Sequence, residues 1–193
     1  MNKCISKEEL NELPVQGFDG EIIVMDFARD VKKIAPFLKK QKVLGFDTET
    51  KPNFAKGKKN QVALLQLATE KSAFIFRINK MGLPPELMEV LSDPKIVKVG
   101  VAIKDDIKAL KNIHSFEPSG FVEIQEKVKD FQIESFSLKK LSGLLLGFRI
   151  SKAQQTSNWE ADQLTEAQIK YAATDAWVSL GIYNRLLEIE KAS

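Results

Sequence analysis

At 193 residues, 44% hydrophobic and 28% charged, the chain has globular composition and enough length to bury a sizeable core. Residues 1–193 are expected to form a single domain with its core over about 21–190. No apolar run approaches the ~18 residues of a membrane span, and the polar start MNKCISKEEL lacks a signal-peptide core, so the expected location is cytoplasmic. A net charge of +3 and a pI near 8.8 are compatible with a polyanionic partner without establishing one.

Taken in chain order, the lone Cys4 excludes an internal disulfide and a cysteine-based zinc site. EIIVMDF over 21–27 predicts a strand, and VKKIAPFLKK a helix with Val31, Ile34, Phe37 and Leu38 at helical spacing. VLGFDTE predicts a second strand. The irregular basic loop KPNFAKGKKN precedes two runs, 61–69 and 72–78, that predict an antiparallel hairpin about the polar turn Glu70-Lys71. A helix is expected from Pro84-Pro85 to near Asp93-Pro94. IVKVGVAI predicts a buried strand that leaves at Gly100 into a helix carrying Asp106, Ile107 and Leu110, with His114 near its end. FVEIQ over 121–125 predicts a short further strand. Helices follow: EKVKDF, then SLKKLSGLLLG capped by Ser137, then a long one from Thr165 to about Glu190 whose TEAQ start fits a capping box. There is no internal repeat and no Pro/Gly/Ser linker. The pattern implies a mixed α/β sheet flanked by helices.

One histidine, His114, leaves chemistry to carboxylates, hydroxyls or lysines. Asp47 and Glu49 lie two apart on a strand and project from the same face. Buried together they call for bound cations, while at a solvated strand end they need none. Asp106 opens a helix, where exposed amides and the helix dipole stabilise an acid whether or not it binds anything. Tyr171 and Asp175 are four apart on the long helix and share a face, and a mid-helix aspartate on a core-side face has no capping role. Together these acids suit hard, oxygen-ligated divalent ions such as magnesium or manganese. Carboxylates converging on two such ions are one way to cleave a phosphodiester.

With those residues in view, the chain resembles the DnaQ-like 3′–5′ exonucleases that carry a tyrosine in their third motif (the DEDDy type), the group of ribonuclease D and the Werner-syndrome exonuclease domain. The resemblance covers about residues 43–187. FDTET followed by QVALLQLAT matches the first motif, VGVAIKDD the second, and SNWEADQLTEAQIKYAATDAW the third. It implies a ribonuclease-H-like fold with a five-stranded mixed sheet, and release of nucleoside 5′-monophosphates from the 3′ end of DNA or RNA by two divalent ions, Mg2+ or Mn2+. It further implies that Asp47 bridges both metals, that Glu49 and Asp175 complete the nucleophile-side site, and that Asp106, rather than Asp105, supports the other ion. Tyr171 would orient the attacking water, and Glu49 with the backbone at Thr50 would grip the terminal 3′-hydroxyl. The sister group has a histidine five residues before the last aspartate. Lys170 stands there in this chain, so the tyrosine variant fits.

Outside the metal site, Lys56, Lys58, Lys59 and Lys152 are candidate phosphate contacts and Phe54 a candidate stacking residue. Trp159 and Trp177 are expected to pack. Ribonuclease D carries further helical nucleic-acid-binding domains after its catalytic unit. This sequence ends at Ser193, which sets the expectation of a compact, stand-alone exonuclease of the Werner type, with no membrane and no obligate protein partner. The competing expectation is a nucleic-acid-binding module that keeps the fold without the chemistry.

Overall fold

Alternating apolar side chains direct the central strands into two layers at once. The computed structural model describes residues 3–52 and 61–192. Its strands are β1 (Glu21–Met25), β2 (Val43–Thr50), β3 (Val62–Ala68), β4 (Ser72–Arg77), β5 (Val97–Gly100) and β6 (Phe121–Glu123). They form one sheet in the order β1-β4-β3-β2-β5-β6. β3 is antiparallel to β2 and to β4, and every other pairing is parallel. Five strands therefore run one way and β3 runs against them.

Along β3, Leu65 and Leu67 enter one hydrophobic cluster while Leu64 and Ala68 enter another; along β4, Phe74 and Phe76 part in the same way from Ala73 and Ile75. This is the period-2 division of a sheet covered on both faces. Helices α2 (Ala28–Leu38), α4 (Pro85–Ser92) and α5 (Lys104–Ile113) bury Val31, Leu38, Leu87, Val90 and Leu110 against the first face. On the other lie α6 (Ile124–Asp130), α7 (Leu138–Leu146) and the 27-residue α8 (Glu166–Ala192).

The expected hairpin forms, with Leu67 opposite Phe74. Ser137 accepts from the Lys140 amide at the start of α7. The capping box of α8 closes reciprocally: the Thr165 amide donates to Gln168 Oε1 at 3.0 Å and the Gln168 amide to Thr165 Oγ1 at 3.2 Å. Trp159 is fully buried, and Trp177 packs between Phe18 and Phe148. Both tryptophans pack as expected.

Among the described residues the sheet has six strands rather than the expected five. The three-residue edge strand β6 pairs parallel with β5, and Ile124 and Gln125, read as its continuation, instead begin α6, for which Glu123 is the N-cap. Two short helices were not foreseen. α3 (Ile78–Met81) is a single turn after β4. α1 (Lys7–Glu12) is opened by a Ser6/Glu9 capping box, the S-x-x-E signal present in SKEE.

Gly45 decides how the two layers meet. A Cβ at this position would lie 1.9 Å from the Ala176 carbonyl oxygen, so the backbone of α8 rests directly on β2. Gly45, Asp47 and Glu49 share one face of that strand. The close approach at Gly45 thus sets Asp175 of α8 over the two acids.

Candidate active site

β2 outruns its parallel neighbour. β5 pairs with Val43–Gly45 only, and beyond Gly45 the strand keeps β3 alone, with a register shift between Glu49 and Thr50. The far half of β2 therefore carries Asp47 and Glu49 at the rim of the sheet, both partly buried, and Thr50 exposed. Asp175, 8% exposed, descends from α8. One carboxylate oxygen from each of Asp47, Glu49 and Asp175 lies within 4.8 Å of the others.

Three like charges that close repel in their ionised forms. Burial, then Asp175, Glu49 and Asp106, hold the Asp47 carboxyl well above the ordinary range. Burial and the neighbouring Asp175 and Asp106 push Glu49 up to about 9. Asp175 is pushed up to about 7 by burial, against the pull of a Tyr171 hydrogen bond and the Lys152 ammonium. Asp175 Oδ1 is buried without a hydrogen-bond partner, which is costly for a carboxylate. A divalent cation among the three would cancel the repulsion and give that oxygen a ligand role. The donor set is all oxygen, so the residues fit a hard ion of the magnesium or manganese kind.

Asp106 reaches the same place from the opposite layer. The Thr48 hydroxyl, between the two strand acids, donates to Asp106 Oδ1 at 2.6 Å. Burial pushes Asp106 up to about 6 while this hydrogen bond draws it down. Asp106 stands outside the 4.8 Å group, though its charge is felt at Asp47 and Glu49. Its neighbour Asp105 is exposed.

Tyr171 lies against Asp175 one turn earlier on α8, backed by Trp159 with ring centroids 5.8 Å apart. Burial and the surrounding carboxylates raise its pKa far above that of a free phenol, so the hydroxyl keeps its proton and acts as a donor. The stretch before α8 is pinned from below. The buried Arg77 donates to the Ala161 and Asp162 carbonyls and Lys80 to that of Asp162, while Gln168 Nε2 donates to the Asn158 carbonyl at 3.2 Å. Lys170 points the other way: a Cβ on Gly17 would be 3.1 Å from its Cε.

Asp47, Glu49, Asp175 and Tyr171 line a cleft of about 200 Å³ together with Thr48, Val101, Leu138, Gln155 and Ser179; Asp106 lies behind Thr48, outside this lining. Leu138 and Gln155 were not foreseen, since nothing in their local sequence marks them, whereas Ser179, four residues after Asp175, shares its helical face. Gln66 was also passed over. It is fully buried, directly opposite Asp47 in the sheet, with both amide atoms unpartnered; an amide inside the apolar run VALLQLA is a signal that was there to read. Lys152 is exposed near Asp175. The candidates Phe54, Lys56, Lys58 and Lys59 lie outside the described residues. His114 is an exposed helix C-cap and Cys4 is exposed.

A family profile described as 3′–5′ exonuclease matches residues 22–190. The chain is 35% identical over 196 residues to the bifunctional 3′–5′ exonuclease/ATP-dependent helicase WRN of Mus musculus, across 95% of this chain and 14% of that protein. It spans between 14% and 40% of the first curated relatives it matches. Among solved structures, the Aedes aegypti Nibbler EXO domain superposes with a TM-score of 0.82 at 24% identity, over 92% of this chain and 94% of that one. Escherichia coli RNase D gives 0.77 at 22% identity, over 91% and 46%. Those two likenesses bear on architecture, and the fold is the ribonuclease-H-like one expected from the motifs. The profile runs from Ile22 in β1 to Glu190 in the last turns of α8 and takes in the whole acidic cluster: the chain belongs to the 3′–5′ exonuclease family.

Proposed function

We propose that this chain is a metal-dependent 3′–5′ exonuclease that hydrolyses phosphodiester bonds from the 3′ end of DNA or RNA and releases nucleoside 5′-monophosphates. The observation that carries this reading is the convergence of Asp47, Glu49 and Asp175 within 4.8 Å. In this reading Asp47, Glu49 and Asp175 hold one divalent ion, and Asp47 with Asp106 serves a second. Such ions supply positive charge that acidifies an attacking water and offsets charge on the leaving oxygen.

The remaining work falls to the chain's own side chains. Tyr171, held protonated, orients the water as a hydrogen-bond partner; a phenol whose pKa is raised is a poor general base at neutral pH. Glu49 and the backbone at Thr50 grip the terminal 3′-hydroxyl. Lys152, whose charge already reaches Asp175, meets the scissile or adjacent phosphate, and Phe54 and Lys56 serve as further contacts to the nucleic acid. Thr48 fixes Asp106 by the hydrogen bond described above.

The test is digestion of matched DNA and RNA oligonucleotides ending in a 3′-hydroxyl, each with Mg2+ and with Mn2+, beside a closed circular single strand. Release of 5′-mononucleotides from linear substrate, with the circle intact, is expected. Failure to shorten any linear substrate with either ion would overturn the assignment, and binding without cleavage would identify a non-catalytic module.

A further inference from the structure

Asp106 owes its place to a turn that its own helix does not stabilise. β5 ends at Gly100, where a Cβ would lie 2.6 Å from the Phe46 carbonyl oxygen, so the chain leaves the sheet pressed against β2. It then passes through Ala102 in the left-handed region at φ 61, a conformation that L-residues other than glycine, asparagine and aspartate seldom adopt. Ile103, the N-cap of α5, offers no side-chain cap. Both exposed amides of this turn are instead taken up from another strand. The Ala102 N–H donates to Glu123 Oε1 at 2.9 Å and the Ile103 N–H to Glu123 Oε2 at 2.8 Å. Glu123 is itself anchored as the last residue of β6 and N-cap of α6, accepting from the Gln125 amide at 3.1 Å. Three residues after Ile103 comes Asp106, fastened to Thr48.

We propose that Glu123 is a positioning residue for Asp106: its carboxylate clamps the Ala102–Ile103 turn and thereby sets the Asp106 side chain at the metal-binding cleft. This rests on the exonuclease reading above. Glu123 does not line the cleft; it acts through the backbone, with its charge also felt at Asp106. A second consequence lies in specificity of effect: the clamp serves Asp106 alone, because Asp47, Glu49 and Asp175 are held by β2 and α8.

The experiment compares the full chain with Glu123→Gln, Asp106→Asn and the double variant. Two quantities are read: the Mn2+ concentration for half-maximal cleavage, and the affinity of the weaker Mn2+ binding event by calorimetry. Glu123→Gln keeps one acceptor oxygen and turns an N–H toward the other amide. It should raise the Mn2+ requirement and weaken that binding event by roughly 10-fold, the size usual for groups that support a ligand. In the Asp106→Asn background it should add nothing. An unchanged Mn2+ requirement, or effects that multiply in the double variant as a general charge or folding effect would, overturns the proposal. Should Glu123→Gln fail to fold, Ala102→Gly paired with it carries the same comparison, since glycine adopts the left-handed turn freely. Absence of cleavage by the wild-type chain would count against the exonuclease reading alone, and the calorimetric arm would still decide the role of Glu123.

Discussion

Tyr171 and Asp175 show how one helical turn divides chemical labour. The phenol is pushed to a higher pKa by burial and by the carboxylates around it, while its hydrogen bond draws the Asp175 pKa down. The pair therefore holds one proton on the tyrosine, and in the proposed reading the aspartate serves as a metal ligand. Tyr171→Phe removes the donor and keeps the ring against Trp159. It should lower the cleavage rate by roughly 100-fold, the scale of a misplaced reactant, while Mn2+ binding measured by calorimetry stays intact. The spacing of Asp47, Glu49, Asp106, Tyr171 and Asp175 was legible in the sequence because strand and helix periods put the paired residues on common faces. Thr48, Glu123 and Gln66 were not legible as a set. Their contacts cross between elements that no local period relates: Thr48 to α5, Glu123 to the turn after β5, and Gln66 across the sheet to Asp47.

Among elements, the contact between β2 and α8 governs the site, and Gly45 is its fulcrum. Gly45→Ala would drive a methyl into the Ala176 carbonyl, with backbone on both sides and no flexible side chain to yield. A loss of about 2–4 kcal/mol in unfolding free energy is expected from overpacking of this kind, measured by urea denaturation, with activity falling in the fraction that folds. The sequence displays this glycine plainly in VLGFDTET, yet gives no means of knowing that a helix more than 100 residues away requires it. The element boundaries followed the same logic. Long apolar runs such as VALLQLA and SAFIFR declared themselves, whereas the edge strand β6 was read two residues too long because Ile124 is equally at home in a strand or at the start of a buried helix.

Across the whole molecule, the acidic cluster ties stability to pH and to cations. Asp47, Glu49, Asp106 and Asp175 all have raised pKa values in the folded chain. The metal-free native state thus holds more protons than the unfolded chain between roughly pH 4 and 9, and stability falls as pH rises through that window. As far as this cluster is concerned, the metal-free protein should be most stable at and below about pH 4 and should lose stability progressively as the pH rises toward 9. Divalent ions bind the ionised acids, so Mn2+ should raise the melting temperature little at pH 5 and markedly at pH 8. Thermal melts with and without Mn2+ across this range check both trends. Among the described residues no helix is long and apolar enough to cross a membrane, in keeping with the hydropathy of the sequence. The layered α/β architecture was also legible there; the five-strand count came from the family resemblance, whereas the run at 121–125 already marked the sixth, edge strand.

In the proposed reading the cluster of Asp47, Glu49 and Asp175 performs the hydrolysis. Its most direct measurement is a time course on a 5′-labelled oligonucleotide with Mn2+, using wild type and Asp175→Ala purified identically and verified as folded by circular dichroism. A ladder of 5′-labelled products shortening one nucleotide at a time, abolished by chelator, is expected with the wild type, and uncut substrate with Asp175→Ala. The same ladder at an undiminished rate from Asp175→Ala would contradict this reading.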